Sequence, residues 1–239
     1  MSREASLLKL IQRKSLPRHI AVIMDGNGRW AESRGLPRIL GHRAGTESVR
    51  EIVRTCGSLG IKVLTLFAFS TENWVRPKSE IRGLMRLLAR MLTTEVEELN
   101  KSGVRLMATG RIHELPGAVR LELSRAIEKL KHNRGLILNL ALNYGGRQEI
   151  VDAVRMIIKE KVKNVDEKSF QKFLYTRDLP DPDLMIRTSG EMRISNFLLY
   201  QIAYAELYVT KTHWPDFKRK HLYQAVLEYQ KRERRFGGR

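Results

Sequence analysis

The sequence predicts an α/β fold: one domain with a central, mainly parallel six-stranded sheet flanked by helices. Three observations carry that expectation. Apolar, β-branched runs of strand length recur along the chain, amphipathic stretches of helical period alternate with them, and polar clusters sit directly after the runs end. The strand candidates span residues 19–25, 62–70, 104–110, 136–144, 183–189 and 206–210. Most are apolar at successive positions, as strands covered on both faces must be, so crossover helices on a parallel sheet are expected. The helical candidates span 45–58, 79–101, 116–132, 148–163 and 218–235. In such a sheet ligands bind beyond the carboxyl ends of strands, which is where Asp25, residues 70–74, residues 143–147 and residues 187–191 fall.

The first strand candidate is the most informative. In HIAVIMDGNGRW, at 19–30, the apolar run ends in Asp25 and passes at once into a Gly26-Asn27-Gly28-Arg29 turn. Glycines let ligand oxygens approach the main chain, the turn offers free N–H groups, Arg29 adds a forked cation, and Asp25 can hold a hard divalent ion. Diphosphate with a bound metal ion is the ligand this arrangement suits.

The second strand runs into FAFSTENWVRPKSE, at 67–80, which carries Ser70, Thr71, Glu72, Asn73, Trp74, Arg76 and Glu80. Pro77 stops a helix from forming through Arg76, so a lid that closes over substrate is expected. A helix start with Ser79 as N-cap and Trp74 as a packing anchor explains Pro77 and Ser79 equally well, but leaves Asn73, Arg76 and Glu80 beside the strand ends unexplained. The helical stretch that follows has Ile81, Leu84, Met85, Leu88, Met91, Leu92, Val96 and Leu99 at three- and four-residue spacing, with Leu87 widening the stripe. Such a stripe packs a core; part of it can also line an apolar tunnel beside the diphosphate site.

In DLMIRTSGEMRISNFLL, at 183–199, Arg187 ends a strand, and Arg193 and Ser195 follow a Ser-Gly turn that is expected to lead into a helix. Two arginines and a hydroxyl at a helix N-terminus can hold a second phosphate or diphosphate. A structural ion pair with Glu191 or Glu206 is the competing explanation. Glu206 itself stands in an apolar strand context and needs a partner or a metal.

The 239 residues suit one domain, and 42% hydrophobic content supports a continuous core. The single cysteine, Cys56, excludes an internal disulfide framework and any multi-cysteine zinc site. No run reaches membrane-span length and the first twenty residues lack a signal-peptide core, so a cytoplasmic location is expected. The net charge of +18 favours an anionic partner, without choosing among nucleic acid, lipid headgroups and small polyanionic substrates.

Taken in order, HIAVIMDGNGRWA, GHRAG, LTLFAFSTENWVRPKSE, LNYGGRQEI, IRTSGEMRISNFLLYQIAYAELY, HWPDF and RERRFG resemble the cis-prenyltransferases of the undecaprenyl diphosphate synthase family. The resemblance covers nearly the whole chain, with residues 1–17 a basic N-terminal segment and 18–239 the catalytic domain. It implies Mg²⁺-dependent condensation of isopentenyl diphosphate with an allylic diphosphate, commonly farnesyl diphosphate, to a cis-polyprenyl diphosphate, on a fold with an apolar tunnel. Asp25 would carry the metal, and Glu206 matches the family's second metal-associated acid. Gly26, Asn27, Gly28, Arg29 and Trp30 with Arg38 and His42 would cradle the allylic diphosphate, and Arg187, Arg193 and Ser195 would grip the homoallylic one. Asn73, with Ser70, Thr71, Glu72, Trp74, Arg76 and Glu80, resembles the loop that positions isopentenyl diphosphate. Arg235 and Gly237 match an element that reaches a neighbouring subunit, which implies a homodimer; no nucleic-acid partner is expected, and a long polyprenyl product would partition into lipid, so peripheral contact with an anionic membrane surface through the basic, Leu-rich N-terminus is expected. Product length would follow tunnel depth, through residues such as Ala68, Leu88 and Leu136. Ser189 stands where many bacterial members have a second glycine.

Two other classes fit less well. GNGRWA reads as G-x-G-x-x-A of a dinucleotide-binding turn, but Arg29 and Trp30 crowd it and no acid ends the next strand. A non-catalytic binding module would not require Asp25, Asn73, Arg187, Arg193 and Glu206 together. The paired aspartate-rich motifs of trans-prenyltransferases are absent, because no two aspartates are adjacent.

Overall fold

The computed structural model describes residues 3–232. Six strands, β1 (His19–Ile23), β2 (Val63–Ser70), β3 (Arg105–Thr109), β4 (Ile137–Tyr144), β5 (Leu184–Arg187) and β6 (Glu206–Val209), form one sheet in the order β3-β4-β2-β1-β5-β6. Every pairing is parallel, so each strand returns through a crossover and all carboxyl ends share one edge. From β1 the chain moves first toward β2 and later returns on its other flank as β5. The carboxyl end of β1 is therefore the switch point of the sheet, and Asp25 stands just beyond it.

The helices are α1 (Arg3–Leu10), α2 (Asn27–Glu32), α3 (Arg38–Leu59), α4 (Lys78–Thr94), α5 (Val96–Lys101), α6 (Gly117–Leu130), α7 (Gly146–Lys159), α8 (Glu167–Gln171) and α9 (Arg219–Lys231). Three differ from the expectation in ways that bear on the site. The Gly-Asn-Gly-Arg turn is the first turn of α2, which leaves the N–H groups of residues 27–29 without an intrahelical acceptor. α3 starts at Arg38, well before residue 45, because Gly41 lets it press onto α2: a Cβ there would lie 1.9 Å from the Asn27 carbonyl oxygen. The stretch 79–101 is two helices, broken at Glu95, whose carboxylate is held by Arg50 Nε at 2.8 Å across from α3.

The two sheet faces carry different cores. Ile20, Val22, Leu64, Leu66 and Leu106 belong to a large aliphatic cluster with residues of α3, α4, α6 and α9. Ala21, Ile23, Ala141 and Met185 face a smaller aromatic one, where Phe67 stacks on Phe197 at 4.4 Å. Cys56 is buried, and burial pushes its thiol well up from the usual range. Residues 3–17 are part of the domain: α1 lies on α9, Ile11 joins the large core, and Gln12 and Gln230 are hydrogen-bonded to one another. Among the described residues no helix is long and apolar enough to cross a membrane.

Candidate active site

A cavity of about 980 Å³ opens at the carboxyl edge of the sheet and runs between the aliphatic face and helices α3, α4 and α5. Its mouth is polar. Asp25, Asn27, His42, Ser70, Glu72, Asn73, Arg76, Arg187, Arg193 and Ser195 all line it.

Asp25 and Arg187 form its centre. Arg187 ends β5 and is only 4% exposed; its guanidinium donates to Asp25 Oδ2 (2.9 Å), to Ser195 Oγ (2.7 Å) and to the Arg193 carbonyl. Arg29, one helical turn on from Asp25, reaches the same carboxylate at 3.1 Å. Burial acts to raise the Asp25 pKa, but the Arg187 hydrogen bond and the two cations outweigh it, so the carboxyl is held below the usual range and stays ionised. The turn is tightly held. Gly26 sits at φ +97°, a Cβ there would fall 1.8 Å from Ser189 Oγ, and the Asp25 carbonyl accepts from Thr188 Oγ1 (2.7 Å), Ser189 Oγ (3.0 Å) and the Trp214 amide (3.0 Å).

Two buried atoms at this mouth have no partner: Arg187 Nε and Asn27 Oδ1. An unmet N–H of a buried cation suits an anion, and an open amide oxygen beside an ionised carboxylate suits a hydrated divalent cation. The residues present therefore fit Mg²⁺ held through Asp25 with diphosphate oxygens supplying further bonds, the mode in which Mg²⁺ uses one carboxylate and a phosphate. Among the described residues no group of three His, Cys, Asp or Glu side chains could hold a metal alone.

The segment expected to act as a lid is a short 3₁₀ turn, Thr71–Val75, in which Asn73 Oδ1 accepts from the Ser70 amide at 3.1 Å. Arg76 pairs with Glu80 at 3.0 Å, and Glu80 also faces Arg38 at 3.9 Å, so residues of the lid, α4 and α3 meet around His42. Burial, with Arg76 and Arg38 nearby, lowers the His42 pKa to about 4, so the imidazole is neutral.

Several expected site residues stand elsewhere. Trp30 donates to Asp216 Oδ1 (2.8 Å) and lies under Arg34, turned from the cavity. Trp74 donates to Asn143 Oδ1 (2.7 Å) and packs edge-on against Phe69, so it anchors the lid. The expected helix after the Ser-Gly turn is not formed: Ser195, Asn196 and Leu198 have positive φ, which no α-helix accommodates, and Arg193 and Ser195 sit on irregular backbone. Arg193 pairs with Glu191, which also takes Arg29 at 3.0 Å, so the ion-pair explanation holds for Arg193 through Glu191 and not Glu206.

Glu206 is the largest correction. The register aligns Ile20 with Leu184 and Leu184 with Glu206, at the amino ends of the strands, whereas Asp25 lies beyond the carboxyl end of β1. At about 3.3 Å per residue the two carboxylates are roughly 15 Å apart and cannot share one ion within a chain. Glu206 instead pairs with Arg232 at 2.7 Å. Arg235 and Gly237 lie outside the described residues.

Behind the mouth the walls are apolar. Leu66, Ala68, Leu138 and Leu140 come from one sheet face, Val49 and Val53 from α3, and Leu84, Leu87, Leu88 and Met91 from α4. Part of the stripe on α4 is thus a tunnel wall, and Leu84 and Leu88 are half-buried although they face inward. Leu136 is not a wall residue; it precedes β4 and is buried in the core, and Leu138 and Leu140 take the place expected for it.

Sequence reading missed Asn196 and Glu149. Asn196 donates to Glu72 (2.7 Å) and accepts from the Arg147 amide (2.8 Å), tying the lid to the segment after β5. Glu149 is buried beneath it, where burial raises its pKa against hydrogen bonds from Tyr144 and Gln201. Asn before an apolar run gave no distinguishing signal, but an acid following Tyr144 in LNYGGRQEI could have been read as a buried acceptor.

Comparison with known proteins places these features. Residues 23–237 match the family model described as putative undecaprenyl diphosphate synthase. The chain is 53% identical to the isoprenyl transferase of Heliobacterium mobile over 98% of its own length and 93% of that protein, and 53% identical to that of Clostridium tetani over 94% and 90%. Its structure is similar to lavandulyl diphosphate synthase from Lavandula x intermedia in complex with dimethylallyl diphosphate, with TM-score 0.91, 36% identity and coverage of 94% and 99%. It is similar also to a probable undecaprenyl diphosphate synthase from Campylobacter jejuni, with TM-score 0.79, 37% identity and coverage of 92% and 98%.

Proposed function

Because the chain belongs to the undecaprenyl diphosphate synthase family of isoprenyl transferases, we propose that it elongates an allylic diphosphate, farnesyl diphosphate in the first instance, with isopentenyl diphosphate units in cis geometry. One observation carries this reading: a mouth of arginines around the ionised carboxylate of Asp25 and an apolar channel behind it form one continuous cavity of about 980 Å³. That volume is at the upper end of the ~300–1,000 Å³ of small-molecule pockets, which favours a growing chain over the coupling of two five-carbon units. The lavender neighbour's complex with dimethylallyl diphosphate supports an allylic diphosphate as the ligand of the mouth.

Bond breaking at the allylic carbon sends an electron pair and negative charge onto the departing diphosphate. Arg29, Arg38, neutral His42 and the N–H groups of residues 27–29 would bind that charge where it grows. Mg²⁺, held by Asp25, would add positive charge on the same oxygens. Arg187, Arg193 and Ser195 would hold the diphosphate of isopentenyl diphosphate, whose double bond attacks the allylic carbon and whose neighbouring carbon then loses a proton. Asp25, a diphosphate oxygen, or a base positioned through Asn73 can take it. Ser70, Thr71, Glu72, Arg76 and Glu80 would close over the pair, with Trp74 as the anchor of the lid.

A homodimer is part of the same reading. The exposed apolar residues Val151, Val154 and Ile158 on α7 support such an interface. The test of the function is direct. Purified protein, farnesyl diphosphate, labelled isopentenyl diphosphate and Mg²⁺ should yield lipid longer than the primer. No elongated product under those conditions would overturn it.

A further inference from the structure

The outer face of α4 carries Lys78, Arg82, Arg86 and Arg90 at four-residue spacing, all exposed. Side chains so spaced are neighbours on a helix, and like charges there repel. On the two helices packed beside α4 several basic residues are matched: Arg125 with Glu122 and Lys129 with Glu97 on α6, Arg50 with Glu95 and Arg54 with Glu98 on α3. Among the described residues none of the four α4 cations forms an ion pair; Arg86 Nε reaches only the Arg82 carbonyl, at 3.4 Å. The opposite face of the same helix, through Leu84, Leu88 and Met91, is a wall of the channel.

We propose that this arginine face of α4 docks the protein on an anionic lipid surface, so that one helix separates the apolar channel from the bilayer that receives its product. The inference rests on the prenyl-elongation reading for the identity of the product, and on the charge pattern for the surface. Uncompensated repulsion along one helix is relieved by a fixed anionic plane, and each basic side chain close to such a plane strengthens binding about fivefold. A helix with guanidinium groups on one side and long aliphatic groups on the other also places the charges outward without exposing the channel wall.

The test compares wild type with an Arg82→Gln, Arg86→Gln, Arg90→Gln variant on vesicles of phosphatidylglycerol and phosphatidylcholine in equal parts, and on phosphatidylcholine alone. Glutamine preserves helix propensity, and none of the three arginines lines the cavity. A charge-matched control removes Lys159, Lys161 and Lys163 on and beyond α7 by the same substitution. Wild type should bind the anionic vesicles and not the neutral ones, the α4 variant should bind about a hundredfold more weakly, and the control should lose far less. Turnover of farnesyl and isopentenyl diphosphate in detergent should be unchanged in the α4 variant. Equal loss in the control, unaltered binding by the α4 variant, or variant-sensitive binding to single-stranded RNA in place of vesicles would each overturn the proposal. Loss of vesicle binding in a protein that makes no prenyl product would uphold the docking face and refute the elongation reading instead.

Discussion

The mouth and the channel of the cavity are adjoining regions built on opposite terms. At the mouth the central acid is held by several partners: the Asp25 carboxylate by two arginines and its own turn, and its carbonyl by three donors. In the channel, the apolar side chains of α3, α4, β2 and β4 face the same space through van der Waals contact alone. The difference teaches where substitution is tolerated. Electrostatic binding of a leaving diphosphate depends on angle and distance, so the mouth is over-determined. Apolar contact depends on area and shape, so the channel admits many side chains at the same cost and can differ in length without loss of the chemistry.

Three experiments would break or sharpen that contrast. The largest effect is expected from Asp25→Asn, which keeps an acceptor for Arg187 but removes the charge: turnover should fall by about a thousandfold while circular dichroism shows the fold retained. Near-normal turnover would mean the carboxylate is dispensable and the mouth less specific than its geometry indicates. Next is Ala68→Leu, which fills the channel from β2 without touching the mouth. Product sizing should show shorter chains, with the rate of the first condensation within about fivefold of wild type. Unchanged product length would place the growing chain outside this channel.

The smallest effect concerns protons. His42 at the mouth and His19 at the amino end of the sheet both have pKa values lowered from 6.5 to about 4, in each case first through burial. A histidine that is neutral when folded binds fewer protons than the unfolded chain between those values, so stability is full above pH 6.5 and falls as pH drops toward 4. Urea denaturation across that window should show a decline of order 3 kcal/mol for each buried imidazole. His42→Gln should remove only the share arising at the mouth, leaving the slope from His19, whose ring bonds Thr65 and the Pro180 carbonyl. A slope abolished by the single substitution would show that His19 does not contribute.

Legibility followed the same division. Asp25, Arg187, Asn73 and the glycine-bearing turn were readable because each is a short run whose chemistry is local: strand, acid, turn. The dual use of the α4 stripe was readable as two alternatives, and burial decided between them residue by residue. Trp30 and Trp74 were misplaced because an indole beside a binding loop has the same sequence signature whether it faces the ligand or anchors the loop. The segment after Arg187 defeated a helix assignment since its positive-φ residues, Ser195, Asn196 and Leu198, are not glycines. Tertiary hydrogen bonds to Glu72 and Arg147 hold that backbone.

By itself the sequence determined the parallel α/β architecture, through unbroken apolar runs alternating with amphipathic ones, and the set of polar residues at the carboxyl ends of strands. Only the tertiary structure decided which of them converge. It separated Glu206 from Asp25 by the length of a strand, paired Glu95 with Arg50 at the point where the long helix breaks, and replaced Leu136 by Leu138 and Leu140 in the channel wall. The physical reason is that periodicity fixes the face of an element a residue occupies, whereas register and crossing geometry fix its height along that element, and a site is a matter of both.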